Sequence, residues 1–132
     1  MKSFDTNIAL RLLVADDPAQ CERAGRAFRE VVEGEGVFLA ATVLVELSWV
    51  LRVACKQDRA SIASALLRLV STDGVTAEDE AGIRQALAAY ESGSADFADY
   101  YIRESSRAAE ALPVLTFDER FARGEDVELV PA

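Results

Sequence analysis

Acidic side chains at four places in the sequence are the residues best suited to chemistry. Asp5 ends a short, mostly apolar lead-in, Glu46 lies in an apolar helical pattern, and Asp118 follows another apolar stretch. Asp96 and Asp99 stand three residues apart at the predicted start of a helix. The chain has no histidine, which removes the commonest general base and every nucleophile–histidine scheme. Carboxylates without histidine favour a site for a hard cation such as Mg²⁺ or Mn²⁺.

Most of these acids also have a purely structural interpretation. Asp5 and Asp96 are good helix caps, because an N-cap aspartate accepts a hydrogen bond from the first helical turn. Asp99 is placed to pair with Arg103 four residues later, and Asp118 is suited to a turn or a cap. These interpretations stay open beside the chemical one at this point.

Glu46 needs a partner more than the other acids do. That helical pattern is apolar nearly all round, so the helix is predicted to be buried on every side. Glu46 shares one face with Val43, Val50 and Val53, so its carboxylate is predicted to lose water. A metal ion would offset that cost, and so would an arginine, for which Arg52 and Arg11 are the candidates.

The elements that position these acids are predicted to alternate between strand and helix. Strands are predicted in the lead-in that ends at Asp5 and at 37–40, 75–76, 114–116 and 127–130; helices are predicted at 8–14, 18–33, 43–56 (capped by Thr42), 58–71, 78–91 and 96–111. This alternation predicts a mainly parallel sheet covered by helices on both faces. The acids follow strands or lie on the flanking helices, so they can converge on one edge of the sheet. Converging carboxylates repel one another without a cation between them.

Composition narrows the function further. The net charge is −9, from 14 basic and 23 acidic residues, so bulk electrostatics do not attract nucleic acid and local arginines or metal ions must do so. The same charge suits a basic protein partner. Cys21 and Cys55 form no recognisable disulfide pattern. No signal peptide or membrane span is visible, which predicts a cytoplasmic protein without membrane contact.

Four short motifs occur in order along nearly the whole chain and are specific as a set. They are Phe4-Asp5-Thr6-Asn7, Leu44-Val45-Glu46-Leu47, Asp96-Phe97-Ala98-Asp99-Tyr100 and Leu115-Thr116-Phe117-Asp118. With these motifs the chain resembles the PIN domain, and most closely the toxin ribonucleases of VapBC-type toxin–antitoxin pairs. The resemblance implies a single domain over residues 1–132, folded as a three-layer α/β/α sandwich with a short, mainly parallel central sheet.

The resemblance also implies an activity and its residues. It implies a Mg²⁺- or Mn²⁺-dependent endoribonuclease that cleaves RNA with a metal-activated water, a cognate antitoxin and a homodimer. The acids that match the family's catalytic and metal-binding quartet are Asp5, Glu46, Asp99 and Asp118. Supporting roles fall to Thr6, Asn7, Asp96 and Thr116, with the two threonines orienting the first and last acids. Arginines that could line the RNA approach are Arg11, Arg52, Arg103, Arg107, Arg120 and Arg123, of which Arg11, Arg103 and Arg120 are the main candidates.

Two other functions are compatible with parts of the sequence. A catalytically silent PIN-like interaction module is the alternative, although the intact quartet argues against it. A phosphatase with Asp5 as nucleophile would need a second acid two residues later, where the chain has Asn7, and a lysine loop, whereas lysine occurs only at Lys2 and Lys56. The bulky Tyr100-Tyr101 pair after the third acid is expected to narrow the cleft.

Overall fold

Helices and strands alternate along the chain as the hydrophobic pattern predicts, with boundaries that differ by a few residues. The computed structural model describes residues 1–132. The elements in chain order are β1 (Lys2–Ser3), α1 (Thr6–Leu13), α2 (Pro18–Glu33), β2 (Val37–Leu39), α3 (Ala41–Val53), α4 (Arg59–Val70), β3 (Val75–Ala77), α5 (Glu80–Ser92), α6 (Phe97–Ala108), β4 (Val114–Thr116), a 3₁₀ turn (Phe121–Arg123) and β5 (Val127–Leu129). They form two compact units, Met1–Glu80 and Ala81–Ala132, called here the first and second units.

The first unit is built on a three-stranded parallel sheet in the order β1-β2-β3. The central strand β2 is apolar throughout, and its residues Val37 and Leu39 are fully buried, as expected of a strand with neighbours on both sides. Backbone pairing continues past β1, because the Phe4 N–H donates to the Phe38 carbonyl at 3.2 Å. Phe4 also packs edge-on against Phe28 of α2. The segment before Asp5 is therefore fixed both in the sheet and in the core.

Helix α3 differs from the prediction in its burial. One side, with Leu44, Leu47 and Leu51, is fully buried, but Trp49 is 57% exposed and Val53 is 44% exposed. The prediction of a helix buried all round is therefore wrong. The sequence is apolar on both faces, and only tertiary packing decides which face is covered.

The start of α3 is also capped differently from the prediction. The helix begins at Ala41, one residue before Thr42, and Ala40 at the N-cap provides no side-chain hydrogen bond. The carboxylate of Glu78, just after β3, accepts a hydrogen bond from the Ala41 N–H at 2.9 Å. An acid distant in sequence thus replaces the local cap that Thr42 was expected to form.

The second unit contains most of α5, with α6 and a two-stranded parallel sheet of β4 and β5. Val114 pairs with Val127, and Thr116 pairs with Leu129. The strands therefore form two hydrogen-bonded sheets rather than one, because strands this short make few ladder bonds and packing decides their partners. All strand pairs are parallel, which confirms the predicted α/β class with a short parallel sheet.

Aromatic side chains form the core of the second unit. Phe97, which is 1% exposed, meets Tyr90 edge-on with ring centroids 6.3 Å apart and stacks on Tyr101 at the same distance. Tyr100 meets Phe121 edge-on at 5.8 Å. These contacts fix the N-terminal turn of α6, which carries Asp99.

Two further expectations concern the thiols and the membrane. Cys21 and Cys55 form no disulfide, and both are half-buried. None of the helices combines the length and the apolar character that crossing a membrane requires.

Candidate functional site

Asp5 is the N-cap of α1 in the first unit. Its Oδ1 accepts a hydrogen bond from the Ile8 N–H at 3.0 Å, while its side chain remains exposed. The capping interpretation is thus confirmed, and it does not exclude the chemical one, because the carboxylate has further lone pairs that face solvent. Asp5 lies past the carboxyl end of β1, where ligands bind in open α/β sheets.

Thr6 joins the first two motifs. Its hydroxyl donates to Glu46 Oε1 at 2.9 Å, across forty residues of sequence. Glu46 is exposed and keeps its hydration, so its carboxylate does not need the arginine partner that was expected. Arg11, one of the two candidates, pairs with Asp16. Thr6 was expected to orient the first acid, Asp5, but its hydroxyl contacts the second acid, Glu46. The physical reason is the parallel pairing of β1 with β2, which brings the starts of α1 and α3 together.

In the second unit, Asp96 and Asp99 share the start of α6. Asp96 is the N-cap, and the two side chains form a capping box in which Asp99 Oδ2 accepts from the Asp96 N–H at 3.2 Å. Such a box satisfies two backbone donors that a helix start would otherwise leave without partners. It also holds the Asp99 carboxylate in one orientation.

Asp118 is held by the loop that follows β4. Its Oδ1 accepts from the backbone N–H groups of Arg120 and Phe121, at 2.9 and 3.4 Å. The Asp118 N–H donates to the Thr116 hydroxyl at 3.0 Å, so Thr116 contacts the backbone of the last acid. The exposed Arg120 guanidinium lies 3.8 Å from Asp118 Oδ1. Ser94, before α6, donates to the Arg120 carbonyl at 3.2 Å and ties this loop to the start of α6.

Two candidate acids of the second unit, Asp96 and Asp118, influence the third, Asp99, electrostatically. Burial raises the pKa of the Asp99 carboxyl above its ordinary value. The hydrogen bond from the Asp96 backbone lowers it, the charges of Asp96 and Asp118 raise it, and the charge of Arg120 lowers it. Carboxylates that raise a neighbour's pKa are close enough to benefit from a shared cation.

We expect the Asp118→Asn variant to lower the pKa of the Asp99 carboxyl in the metal-free protein, because one like charge is removed. Carbon-detected NMR titration of the Asp99 carboxyl measures this directly. The Glu119→Gln variant, with the same loss of charge one residue later, is the matched control and should leave that pKa nearly unchanged. A pKa that does not fall in Asp118→Asn would show that Asp99 and Asp118 do not interact.

Several residues expected to serve the site have other contacts. Arg103 is 9% exposed and does not pair with Asp99. Its guanidinium lies over the Tyr100 ring, donates to the Glu125 carbonyl and neighbours Glu104, so it is a packing residue with little access to RNA. Arg107 bridges Glu104 and Asp126, each at 3.0 Å. Of the two main candidates in the second unit, Arg103 and Arg120, only Arg120 keeps its guanidinium near an acid of the site.

Tyr100 also differs from the expectation that it narrows a cleft. It is 4% exposed, and its hydroxyl accepts hydrogen bonds from the Ser94 and Ala95 N–H groups at 3.1 and 3.3 Å. Buried backbone donors need such partners. Tyr100 therefore organises the loop that leads into Asp96.

A feature that sequence reasoning missed lies between α1 and α2. A groove of about 490 Å³ is lined by residues of both helices, including Asn7, Arg11, Arg23 and Arg26. The signal available in the sequence was the spacing of Arg23 and Arg26, which places both on one face of α2. Asn7, expected to hold the loop, is exposed and lines this groove.

The candidate acids form two clusters, Asp5 with Glu46 in the first unit and Asp96, Asp99 and Asp118 in the second. The donor chemistry of both clusters suits a hard divalent cation. Every candidate ligand is a carboxylate oxygen, and Mg²⁺ and Mn²⁺ prefer oxygen donors completed by water. The structure contains no group of three or more acidic or thiol side chains that could hold a metal ion by itself. The fit is therefore one of ligand type, supported in the second unit by the raised pKa of Asp99.

Comparison with known proteins identifies the family. A search of curated proteins gives no match. The family model described as PIN domain matches residues 3–126 and so covers the four acidic motifs and nearly the whole chain. Because that match spans far more than half of the sequence, the chain belongs to the PIN domain family.

Proposed function

We propose that this PIN domain is a metal-dependent endoribonuclease and the toxin member of a toxin–antitoxin pair. PIN domains are generally nucleases. The observation that carries the proposal is the half-buried Asp99, whose pKa is raised by burial and by the charges of Asp96 and Asp118. Acids whose pKa values are perturbed in this way cluster at functional sites.

In this proposal Asp5, Glu46, Asp99 and Asp118 bind Mg²⁺ or Mn²⁺. Family membership is the reason for assigning both clusters to one reaction. A divalent cation held by these acids would polarise the phosphodiester and lower the pKa of a water molecule, which would make histidine unnecessary. The metal also brings the positive charge that RNA needs near a protein of net charge −9.

The remaining polar residues position those acids. Thr6 holds Glu46 through its hydroxyl, and Thr116 holds the backbone of Asp118. Asp96 fixes Asp99 through the capping box. Arg120, whose side chain is 69% exposed, offers a guanidinium to a phosphate beside Asp118.

Metal dependence is the first test. After removal of divalent cations with EDTA, the protein should not cleave single-stranded RNA, and addition of Mg²⁺ or Mn²⁺ should restore cleavage. Calorimetry should show Mn²⁺ binding to the wild type. The Asp73→Asn variant, which loses an exposed acid before β3 and outside the proposed metal site, should bind Mn²⁺ as well. Cleavage that persists in EDTA would contradict the metal mechanism. Failure to bind Mn²⁺ or to cleave RNA would favour the catalytically silent interaction module.

A protein partner is supported by one exposed face of α3. Glu46, Trp49 and Val53 share that face by their helical spacing, and all are exposed. An apolar segment that also carries an arginine would cover Trp49 and pair with Glu46, which suits a basic antitoxin. We further propose a homodimer in the cytoplasm, on family grounds.

The partner proposal predicts that a basic product of a neighbouring gene copurifies with this protein and blocks its nuclease activity. Trp49→Ala should weaken that complex, because large buried aromatic side chains contribute most to interfaces. Leu67→Ala, which truncates an exposed apolar residue of α4 (40% exposed), is the control and should leave it intact. Equal affinity of the two variants would remove α3 from the interface.

A further inference from the structure

The groove between α1 and α2 is an unassigned site within the first unit. Its volume is about 490 Å³, and Arg11, Arg23 and Arg26 line it together with a single acid, Glu30. A local excess of positive charge is unusual in a chain whose net charge is −9. Grooves lined by one sign of charge concentrate ligands of the opposite sign, so this one suits an anion.

The three arginines differ in how far they are already engaged. Arg11 pairs with Asp16, and Arg26 pairs with Glu22 at 3.2 Å in an exposed contact. Arg23 is exposed and has no ion-pair partner. The Nε of Arg11 is buried without a hydrogen-bond acceptor, and an unsatisfied buried donor is costly. The groove therefore holds at least one free guanidinium and one free donor.

The position of the groove relates it to the acids of the first unit. Asn7 lines it, and the preceding Thr6 donates its hydroxyl to Glu46. Asp5 lies one residue earlier, at the cap of the same helix. An RNA strand with one phosphate at Asp5 and Glu46 would thus continue along α1 towards the arginines of the groove.

We propose that this groove binds backbone phosphates of single-stranded RNA next to the cleaved bond. The inference rests on the proposed nuclease function and extends it to a substrate-binding surface. RNA is the favoured occupant, because Asp5, which is proposed to bind the metal ion at the cleavage site, caps the helix that lines the groove. An RNA phosphate beside Asp5 would share that metal ion.

The test measures binding of a labelled single-stranded RNA at a series of salt concentrations, in the Asp99→Asn background so that the RNA stays intact. Each phosphate contact contributes about 0.7 to the slope of log affinity against log salt for single strands. Arg23→Gln should therefore reduce that slope by about 0.7, and Arg23→Gln with Arg26→Gln by about 1.4. Arg68→Gln, an equal loss of charge on the exposed side of α4, should leave the slope unchanged.

The outcomes separate this inference from the nuclease proposal. RNA binding that depends on Arg23, with no cleavage by the wild type, would support the groove and remove the nuclease. Cleavage by the wild type, with equal salt slopes for Arg23→Gln and Arg68→Gln, would overturn the groove alone. Unchanged RNA binding together with Arg23-dependent binding of a polyglutamate peptide would assign the groove to a protein partner and overturn the proposal. Absence of RNA binding by every variant would overturn both.

Discussion

The Asp99→Asn variant is expected to lose RNA cleavage by at least about a hundredfold while the folded protein becomes more stable at neutral pH. Loss of a group that only supports a metal ligand typically costs 10- to 100-fold, roughly, so loss of a ligand itself should cost no less. Asparagine keeps the oxygen that accepts from the Asp96 N–H, so the capping box can persist. The loss of activity should therefore reflect the missing charge.

The gain in stability follows from the direction of the pKa shift. Burial raises the pKa of Asp99 in the folded protein, so the folded state binds the proton more tightly than the unfolded chain does. Stability therefore falls as pH rises from the unfolded pKa through the folded one. Asparagine stays neutral, so the Asp99→Asn variant should be more stable than the wild type at pH values above the pKa of Asp99 in the folded protein. This difference in stability should be absent at pH values below the pKa of Asp99 in the unfolded chain.

Thermal unfolding of the metal-free protein over a series of pH values measures the change in stability. Cleavage assays with Mn²⁺ measure the loss of activity. Asp5→Asn should lose cleavage as well, but without the gain in stability, because Asp5 is exposed. Asp73→Asn should change neither property. Asp99→Asn with wild-type cleavage would remove Asp99 from the catalytic set, and a variant less stable than the wild type at neutral pH would contradict the assigned effect of burial.

Truncation of Phe97 to alanine is expected to destabilise the protein by about 3–5 kcal/mol. Phe97 is 1% exposed and contacts the rings of Tyr90 and Tyr101, so its removal leaves a cavity in the aromatic core of the second unit. A loss of that size is a large share of the roughly 5–15 kcal/mol that folds a typical domain. Chemical denaturation with urea measures the change in the free energy of unfolding.

Phe117 offers a matched control for the same substitution. It lies just after β4 in the same unit and is 84% exposed, so Phe117→Ala removes the same atoms from solvent rather than from the core. We expect its free energy of unfolding to stay within about 0.5 kcal/mol of the wild type, as is usual for surface substitutions. Similar losses for both variants would show that Phe97 is not a core residue.

The sequence by itself determined what depends on neighbours a few residues away. The helix α2 has the predicted bounds because Pro18 and Gly34 act locally at its two ends. Asp5 and Asp96 cap helices as predicted, since an N-cap bonds a backbone group two or three residues later. The order of the four acidic motifs also identified the family, which the match over residues 3–126 confirms.

Only the tertiary structure decided what depends on distant segments. The Thr6 hydroxyl finds Glu46 because β1 pairs with β2, and the Ala41 N–H finds Glu78 because β2 pairs with β3. The sequence alone also did not show which face of α3 is buried and which is exposed with Trp49, or that Arg103 is buried. Local hydrogen bonds and turn preferences act within a few residues, whereas burial and long-range pairing depend on which elements pack together. For that reason the sequence identified the acids, and the fold determined the contacts that hold them.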